Sequence, residues 1–138
     1  MIPAARGRSL PSVLAFLLLA AAAAPTPAGA WSSPTGSITI RIAACPSAPS
    51  RWCGTVTAAS PKAIADTRRA SGRSLVGMML VRDMRSVGRA HWRGLVEVPD
   101  RKVTARGALR LVGRDVLEVK GCGLGGVVCK TQRWHRAD

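Results

Sequence analysis

The sequence contains few of the residues from which active sites are built. Its 138 residues include no tyrosine, one phenylalanine, two histidines and seven acidic residues. No serine lies in a Gly-x-Ser-x-Gly motif, which marks one class of hydrolases. Because nucleophilic catalysis needs a nucleophile, a histidine base and a group that orients the base, we predict no catalytic residue and no enzyme. The alternative is a hydrolase whose rate depends on His91 or His135.

Negative charge is scarce relative to positive charge. The chain has 21 basic residues against seven acidic ones, a formal net charge of +14. Such an excess attracts polyanions such as lipopolysaccharide, anionic lipid headgroups or nucleic acid. The arginines are dispersed along the chain, however, and dispersed charge is typical of a solvated surface. Both interpretations stay open, and we predict no specific nucleic-acid partner.

The four cysteines lack the spacing of metal or redox motifs. Cys45 lies close to Cys53 in the sequence, and Cys122 lies close to Cys129. Zinc knuckles need shorter gaps and redox centres need Cys-x-x-Cys, so no metal and no cofactor is expected. Four cysteines allow three disulfide pairings. We favour the two local ones, because a turn-rich loop between strand ends can bring each pair together, and we expect an oxidising compartment.

Residues 121–126 match Gly-x-Gly-x-x-Gly, the fingerprint of dinucleotide-binding loops. The fingerprint requires a helix at its end, because the helix N-terminus holds the pyrophosphate. Here a strand-like stretch, Val127–Cys129, follows instead. We therefore predict a hairpin turn inside a disulfide loop rather than a nucleotide site.

One long uninterrupted hydrophobic run is present, near the N-terminus. Val13–Ala24 is wholly apolar, follows Arg6 and Arg8, and precedes small residues at 28–30. It has the length of a signal-peptide core and is too short to span a bilayer comfortably. We predict a signal peptide over residues 1–28, cleaved somewhere in 23–30, and a single domain over 29–138 without a transmembrane span. An uncleaved membrane anchor is the alternative.

The segment after residue 30 alternates between apolar and polar residues, which is typical of half-buried strands. Sequential pairing would give an antiparallel meander, closed as a small barrel or stacked as a sandwich. Gly94 and Gly107, at inward positions, suit the sharp bending of a barrel. Ser60, Pro61 and Gly72 suit a short helix near 61–70, with an ordered loop as the alternative. The predicted strands are 36–44, 54–58, 74–84, 90–98, 102–112, 115–121 and 127–134.

Three blocks of the sequence have a recognisable pattern. The first is Gly29–Trp31 with the strand that leads into Cys45, the second is Cys53–Val56, and the third runs from Trp92 to Arg136. Together they resemble the bacterial domain-of-unknown-function 2147 family of small exported proteins. The resemblance implies a lipocalin-like β-barrel of about seven to eight strands in the bacterial envelope, of unestablished activity. The chain departs from the family in a shortened turn at 98–103 that lacks a tyrosine.

A small exported barrel suggests a binding function. We predict a small lipophilic or amphipathic anionic ligand; the alternative is a cavity-less protein that binds envelope polyanions through surface arginines. Methionine adapts to varied apolar shapes, and arginine offers a planar donor fork to phosphate or carboxylate. No oligomeric state is predicted. The predicted ligand-binding residues are Arg69, Arg73, Met78, Met79, Leu80 and Trp92.

Overall fold

The computed structural model describes residues 2–5, 7, 11, 15–18, 23–99, 101, 103–123 and 128–138. The predicted signal segment lies only partly within these residues, and Arg6, Arg8 and most of the predicted glycine-rich turn lie outside them. In the described part, no helix has the length and hydrophobicity that a membrane crossing requires. The elements in chain order are β1 (Gly29–Ser32), β2 (Ile38–Cys45), β3 (Ala48–Ala59), α1 (Pro61–Ser71), β4 (Met79–Gly88), β5 (His91–Val98), β6 (Val103–Val112), β7 (Val116–Gly123) and β8 (Val128–Arg136).

The eight strands form one closed barrel. Each strand pairs antiparallel with the next, and β1 pairs with β8 to complete the circle. Closure satisfies the backbone groups that an open sheet would leave at its edges. The predicted antiparallel meander and its closure as a barrel are therefore confirmed.

Glycine allows the strands to approach each other closely inside the barrel. A Cβ at Gly94 would collide with the backbone carbonyls of Arg82 and Asp83 in β4, and a Cβ at Gly107 would collide with the Val96 side chain. Asp83 has a φ of 51° and lies where the register between β4 and β5 shifts. Such a bulge bends a strand, so this part of the wall curves sharply, as Gly94 and Gly107 suggested.

Helix α1 has the caps that the sequence predicts. Ser60 Oγ accepts a hydrogen bond from the Ala63 amide at 3.1 Å, and Pro61 occupies the first turn. Gly72 ends the helix with a φ of 70°, and its amide donates to the Arg68 carbonyl. Because left-handed backbone favours glycine, the helix stops at this residue, and the predicted short helix is confirmed.

The barrel has two different ends. The closed end contains the start of β1 and the β2–β3, β4–β5 and β6–β7 turns, while the open end contains α1 and the β5–β6 and β7–β8 connections. Large side chains fill the closed half. Each of the following is less than 2% exposed: Trp31, Ile42, Met84, Leu109 and Leu117.

The segment before β1 seals the closed end. Trp31 Nε1 donates to the carbonyl of buried Pro27 at 2.9 Å. The Arg136 guanidinium lies 4.3 Å from the centre of the Trp31 ring and donates to the carbonyls of Arg114 and Ala28. A cation over an indole ring is electrostatically favourable, so Arg136 joins β8 to the N-terminal segment and to the β6–β7 turn.

Two strands begin five or six residues away from the predicted position, whereas the other predicted strands begin within two. β3 begins at Ala48 rather than at 54, because residues 46–47 alone form the turn and Cys45 already pairs with Ala48. β4 begins at Met79 rather than at 74, because Gly77 has a φ of 91° and residues 75–78 form a turn. Leu75 is fully buried within that turn, so its hydrophobicity reflects burial and not a strand.

Both predicted local disulfides are present. Cys45 and Cys53 are joined at the closed end, with Cα atoms 4.9 Å apart. Cys122 and Cys129 join β7 to β8 at the open end, with Cα atoms 4.0 Å apart. The closed-end cystine is buried, whereas Cys129 is exposed.

Candidate ligand-binding cavity

The open half of the barrel contains a cavity of about 670 Å³. Helix α1 contributes Ala63, Asp66 and Thr67 to its lining. The volume lies within the range of roughly 300–1,000 Å³ that is usual for small-molecule sites. The apolar side chains of the wall include Ile38, Ile40, Leu80, Val96, Val119 and Trp134.

The cavity exists because the strands carry small residues at this level. Gly121 in β7 lies opposite Gly107 in β6 and opposite Lys130 in β8. A Cβ at Gly121 would meet no atom within 4 Å, so this position faces open space. Two residues nearer the closed end, Leu109 and Val119 are paired and buried, and the interior there is filled.

The inner face of β8 brings polar groups into the cavity. Lys130, Gln132 and Trp134 all line it, because alternate residues of a strand share one face. Trp134 Nε1 donates to Gln132 Oε1 at 3.2 Å. Among the described residues no carboxylate forms an ion pair with Lys130. Within the part of the chain that the structure describes, the lysine is thus a cation beside an apolar wall without a counter-charge.

A buried carboxylate also borders the cavity. Glu97 in β5 has a side chain that is 6% exposed, and it accepts hydrogen bonds from Arg73 and, at 2.8 Å, from Arg82. The bond from Arg73 is the main reason why the pKa of Glu97 lies below its ordinary value of 4.5; burial acts in the opposite direction. The same bond raises the pKa of Arg73.

The Glu97 ion pairs connect three parts of the fold. Arg73 follows α1 immediately, Arg82 lies in β4, and Glu97 lies in β5. The carboxylate therefore fastens the C-terminal end of α1 to the wall of the barrel at the open end. Two arginines more than neutralise one carboxylate, so the cluster keeps a surplus positive charge.

The second acidic residue of the lining, Asp66 on α1, is also neutralised. Lys62 and Arg69 lie one helical turn to either side and bond to its carboxylate. These bonds, that of Lys62 first, lower the pKa of Asp66. Arg101 lines the cavity from the β5–β6 connection and forms no ion pair within the described residues. The lining residues that the structure describes therefore include two neutralised carboxylates and two cations without an ion pair, Lys130 and Arg101.

Three of the residues predicted to bind ligand line the cavity or bond to a residue that does. Leu80 lines the cavity directly. Arg73 reaches its border through Glu97, and Arg69 is exposed on α1 and bonded to Asp66. Both arginines are thus committed to carboxylates of the protein itself.

The other three predicted residues do not line the cavity, although Met78 and Met79 lie beside Leu80 where β4 begins at the open end. Met78 and Trp92 are buried in the core, and Met79 is half-buried and paired with Thr55. Trp92 pairs with Leu109, which places it in the filled half. The role of all six residues in ligand binding stays a prediction.

Sequence reasoning missed the polar residues of the cavity. Lys130 and Gln132 lie in the predicted strand 127–134, but they are not among the predicted ligand-binding residues. The alternation from Val128 to Trp134 carries the missing signal, because a buried tryptophan at 134 places 130 and 132 on the same inner face. Glu97 is likewise absent from the predicted ligand-binding residues.

In the described part of the chain, the metal-ligating and catalytic types of side chain do not form a second candidate site outside the cavity. Cys45, Cys53 and Asp83 have ligand atoms within 4.8 Å of one another, but the two sulfurs form a disulfide, and metals bind thiolate. His91 and His135 lie on β5 and β8 at the closed end, away from the cavity. The expectation that the protein is not an enzyme stays a prediction.

Comparison with known proteins connects the chain to a bacterial family. The family model described as "Uncharacterized protein conserved in bacteria (DUF2147)" matches residues 29–136. The match runs from the first residue of β1 to the last residue of β8, so the resemblance seen in three sequence blocks is confirmed over the whole barrel. No curated protein and no solved structure matches the chain.

Proposed function

Since the chain belongs to the bacterial DUF2147 family, we propose that it is an exported binding protein, periplasmic or secreted, that holds a small amphipathic anion in the cavity of its barrel. One observation carries this proposal: an apolar wall adjoins two cations, Lys130 and Arg101, that have no counter-charge among the described residues. Two disulfides support export, because disulfides persist in oxidising compartments. The apolar N-terminal run supports it as well.

The apolar wall favours the tail of such a ligand. Aliphatic side chains from β2, β4, β5 and β7 surround the cavity, and Trp134 forms part of its lining. Transfer of apolar surface from water to such a wall gains about 25 cal/mol per Å². Water in the cavity would find few hydrogen-bond partners on these side chains. A hydrocarbon tail would therefore displace it favourably.

The polar groups of β8 favour an anionic head. Lys130 offers three donors and a full positive charge. Gln132 Oε1 accepts from the Trp134 indole, which leaves the Gln132 amide nitrogen to donate. Charge-assisted hydrogen bonds to a carboxylate or phosphate are about twice as strong as neutral ones. A head at this position would complete the charge balance of the site.

The alternative prediction was a cavity-less protein held to polyanions by charge alone. That alternative supposes a filled interior, whereas the open half of this barrel contains a cavity. Ionic strength separates the two modes of binding, because surface charge is screened by salt and enclosed apolar contacts are not. Binding of a ligand inside the barrel should persist at high salt.

Dodecanoate tests the proposal, with dodecanol and dodecyltrimethylammonium as probes of equal tail length and different head charge. We expect dodecanoate to raise the melting temperature with a saturable dependence on concentration, and dodecyltrimethylammonium to have no such effect. Lys130→Gln should weaken dodecanoate binding by about tenfold, the loss of one charge-assisted hydrogen bond, and should leave dodecanol binding unchanged. Thermal denaturation measures the shift in melting temperature, and tryptophan fluorescence titrations measure the binding affinity.

Gly121→Val is the variant that fills the cavity. Gly121 has open space at its Cβ position, so valine should fit and should occupy the volume that the tail requires. Gly88→Val is the matched control, because Gly88 also has open space at its Cβ position but lies at the exposed end of β4. Dodecanoate binding that survives Gly121→Val unchanged, or no saturable binding of any probe, would contradict the proposal.

A further inference from the structure

Arginines that are scattered in the sequence converge on one outer surface of the barrel. In β5 to β8 the residues that alternate with the core side chains point outward. The cross-strand register aligns Arg85 with Arg93, and continues this row through Ala108 to Lys120. All the residues of this basic face are exposed: Arg85, Arg93, Arg106, Arg110, Lys120 and Arg133.

The basic face contains almost no compensating charge. Arg133 and Glu118 form its one ion pair among the described residues, at 3.5 Å. Arg85 lies directly opposite Arg93. Like charges at directly opposed positions of a sheet destabilise it, so the folded state gains nothing from this arrangement by itself. An external anion would relieve the repulsion.

The rest of the outer wall is different. The outward residues of β2 and the following part of β3 are mainly small and neutral, such as Thr39, Ala43 and Thr57, with Arg41 as the cation among them. Arg51 in β3 lies 3.9 Å from Asp83 and is balanced by it. The unbalanced positive charge is thus concentrated on β4 to β8 and is sparse on β2 and β3.

The shape of the basic face points to a flat partner. Neighbouring strands lie about 4.8 Å apart, and alternate residues along a strand are roughly 7 Å apart, so the cations of the adjacent strands β5, β6 and β7 form a two-dimensional array on one side of the closed barrel. Planar guanidinium groups match phosphate oxygens in a bidentate manner. Proteins that bind single-stranded nucleic acid add aromatic side chains on which bases stack. Trp92 and Trp134 face inward and are buried, so this face offers none.

We propose that the basic face docks the barrel on a membrane surface rich in anionic lipid headgroups. The phosphates of such a surface form a plane of negative charge that complements the array of cations. Each basic residue near an anionic surface contributes about a fivefold gain in affinity. The inference does not depend on the cavity, because the outward and inward faces of β5 to β8 are built from different residues.

Vesicle flotation at low ionic strength tests the inference. The probes are phosphatidylcholine vesicles with and without about a third of phosphatidylglycerol. We expect the protein to float with the anionic vesicles only. A variant with Arg93→Gln, Arg106→Gln and Lys120→Gln should bind them on the order of 100-fold more weakly. It should keep its circular-dichroism spectrum and at least its original melting temperature, because the substitutions relieve repulsion.

The matched control removes three exposed cations from other surfaces, with Arg41→Gln, Arg68→Gln and Arg114→Gln. Both variants have the same net charge, so we expect the control to bind anionic vesicles within about threefold of the original protein if position rather than total charge decides. If both variants lost affinity for the anionic vesicles to the same extent, the proposal would be overturned. Tighter binding to a DNA duplex than to the vesicles at the same salt, with loss of that binding in the basic-face variant, would overturn it as well.

Discussion

The two ends of the barrel follow the same alternation of inward side chains but use residues of different size. At the closed end Trp31, Met84, Leu109 and Leu117 fill the interior completely. At the open end a glycine, Gly121, and several valines leave about 670 Å³ free. A periodic pattern of inward positions is therefore sufficient for a strand, while the volume of the side chains decides whether the interior is a core or a binding site.

The two ends of the barrel also differ in their charged residues. The closed end has Arg136 stacked on Trp31 and bonded to backbone carbonyls. The open end has Glu97 and Asp66 neutralised by arginines and a lysine, and Lys130 and Arg101 form no ion pair with any residue in the described ranges. In the interior, packing is complete at the closed end, and the cavity with its cations lies at the open end.

The largest expected effect tests the difference in packing directly. Trp31→Ala should reduce the free energy of unfolding by about 3–5 kcal/mol, because a fully buried aromatic side chain is removed from a filled core. Val103→Ala, at the open end and 46% exposed, should change it by less than about 0.5 kcal/mol. Urea denaturation measures both. A loss at Val103 as large as that at Trp31 would mean that the two ends do not differ.

The two disulfides give a second test, one at each end. Their loops are of nearly equal length, with sequence separations of 8 and 7, so loop entropy predicts a similar contribution of about 2–3 kcal/mol from each. Their exposure differs, because Cys45 is 2% exposed and Cys129 lies at the surface. We expect a mild reductant to open Cys122–Cys129 first, as followed by alkylation and mass spectrometry. Simultaneous reduction would show that the closed end opens as readily as the other.

The smallest effect concerns Glu97, which fastens α1 at the open end. Glu97→Gln should cost roughly 1–2 kcal/mol, the lower part of the range for charged hydrogen bonds, because Arg73 and Arg82 are each 41% exposed and screened by water. The pKa of Glu97 is depressed, so its contribution is complete above about pH 4.5 and is lost as the pH falls through the lower pKa of the folded state.

The test measures the free energy of unfolding of the original protein and of Glu97→Gln by denaturation across this pH range. Because the other carboxylates are common to both proteins, their difference reports Glu97 alone. The difference between the two stabilities should begin to shrink below about pH 4.5 and should vanish below the lower pKa that Glu97 has in the folded state. A difference that is independent of pH would show that the glutamate acts by packing and not by charge.

The fold was largely predictable because its signals are local. The alternation in β5, β6 and β7 places those strands within two residues of their observed ends, and Ser60 and Gly72 define α1. The start of β4 was predicted wrongly, because Leu75 and Met78 are as apolar as strand residues but are buried in a turn. Hydrophobicity reports burial and does not distinguish a strand from a buried loop.

The cavity residues were less predictable because they are defined by neighbours that are distant in sequence. Arg73 looked available for a ligand, but the barrel brings Glu97 to it across 24 positions of sequence. Trp92 looked suitable for a binding wall, but its partner Leu109 places it in the filled half. Lys130 is not among the predicted ligand-binding residues, and only its register with Gly121 places it beside open space.

The amino-acid sequence by itself determined the strand-and-turn order, the local pairing of the cysteines and the excess of positive charge, because each depends on spacing or composition alone. Only the tertiary structure decided which arginines stand together on β4 to β8, which carboxylates are neutralised and where the interior stays empty. Those properties depend on the register between strands and on the summed volume of side chains from different parts of the chain, which no single segment of the sequence contains.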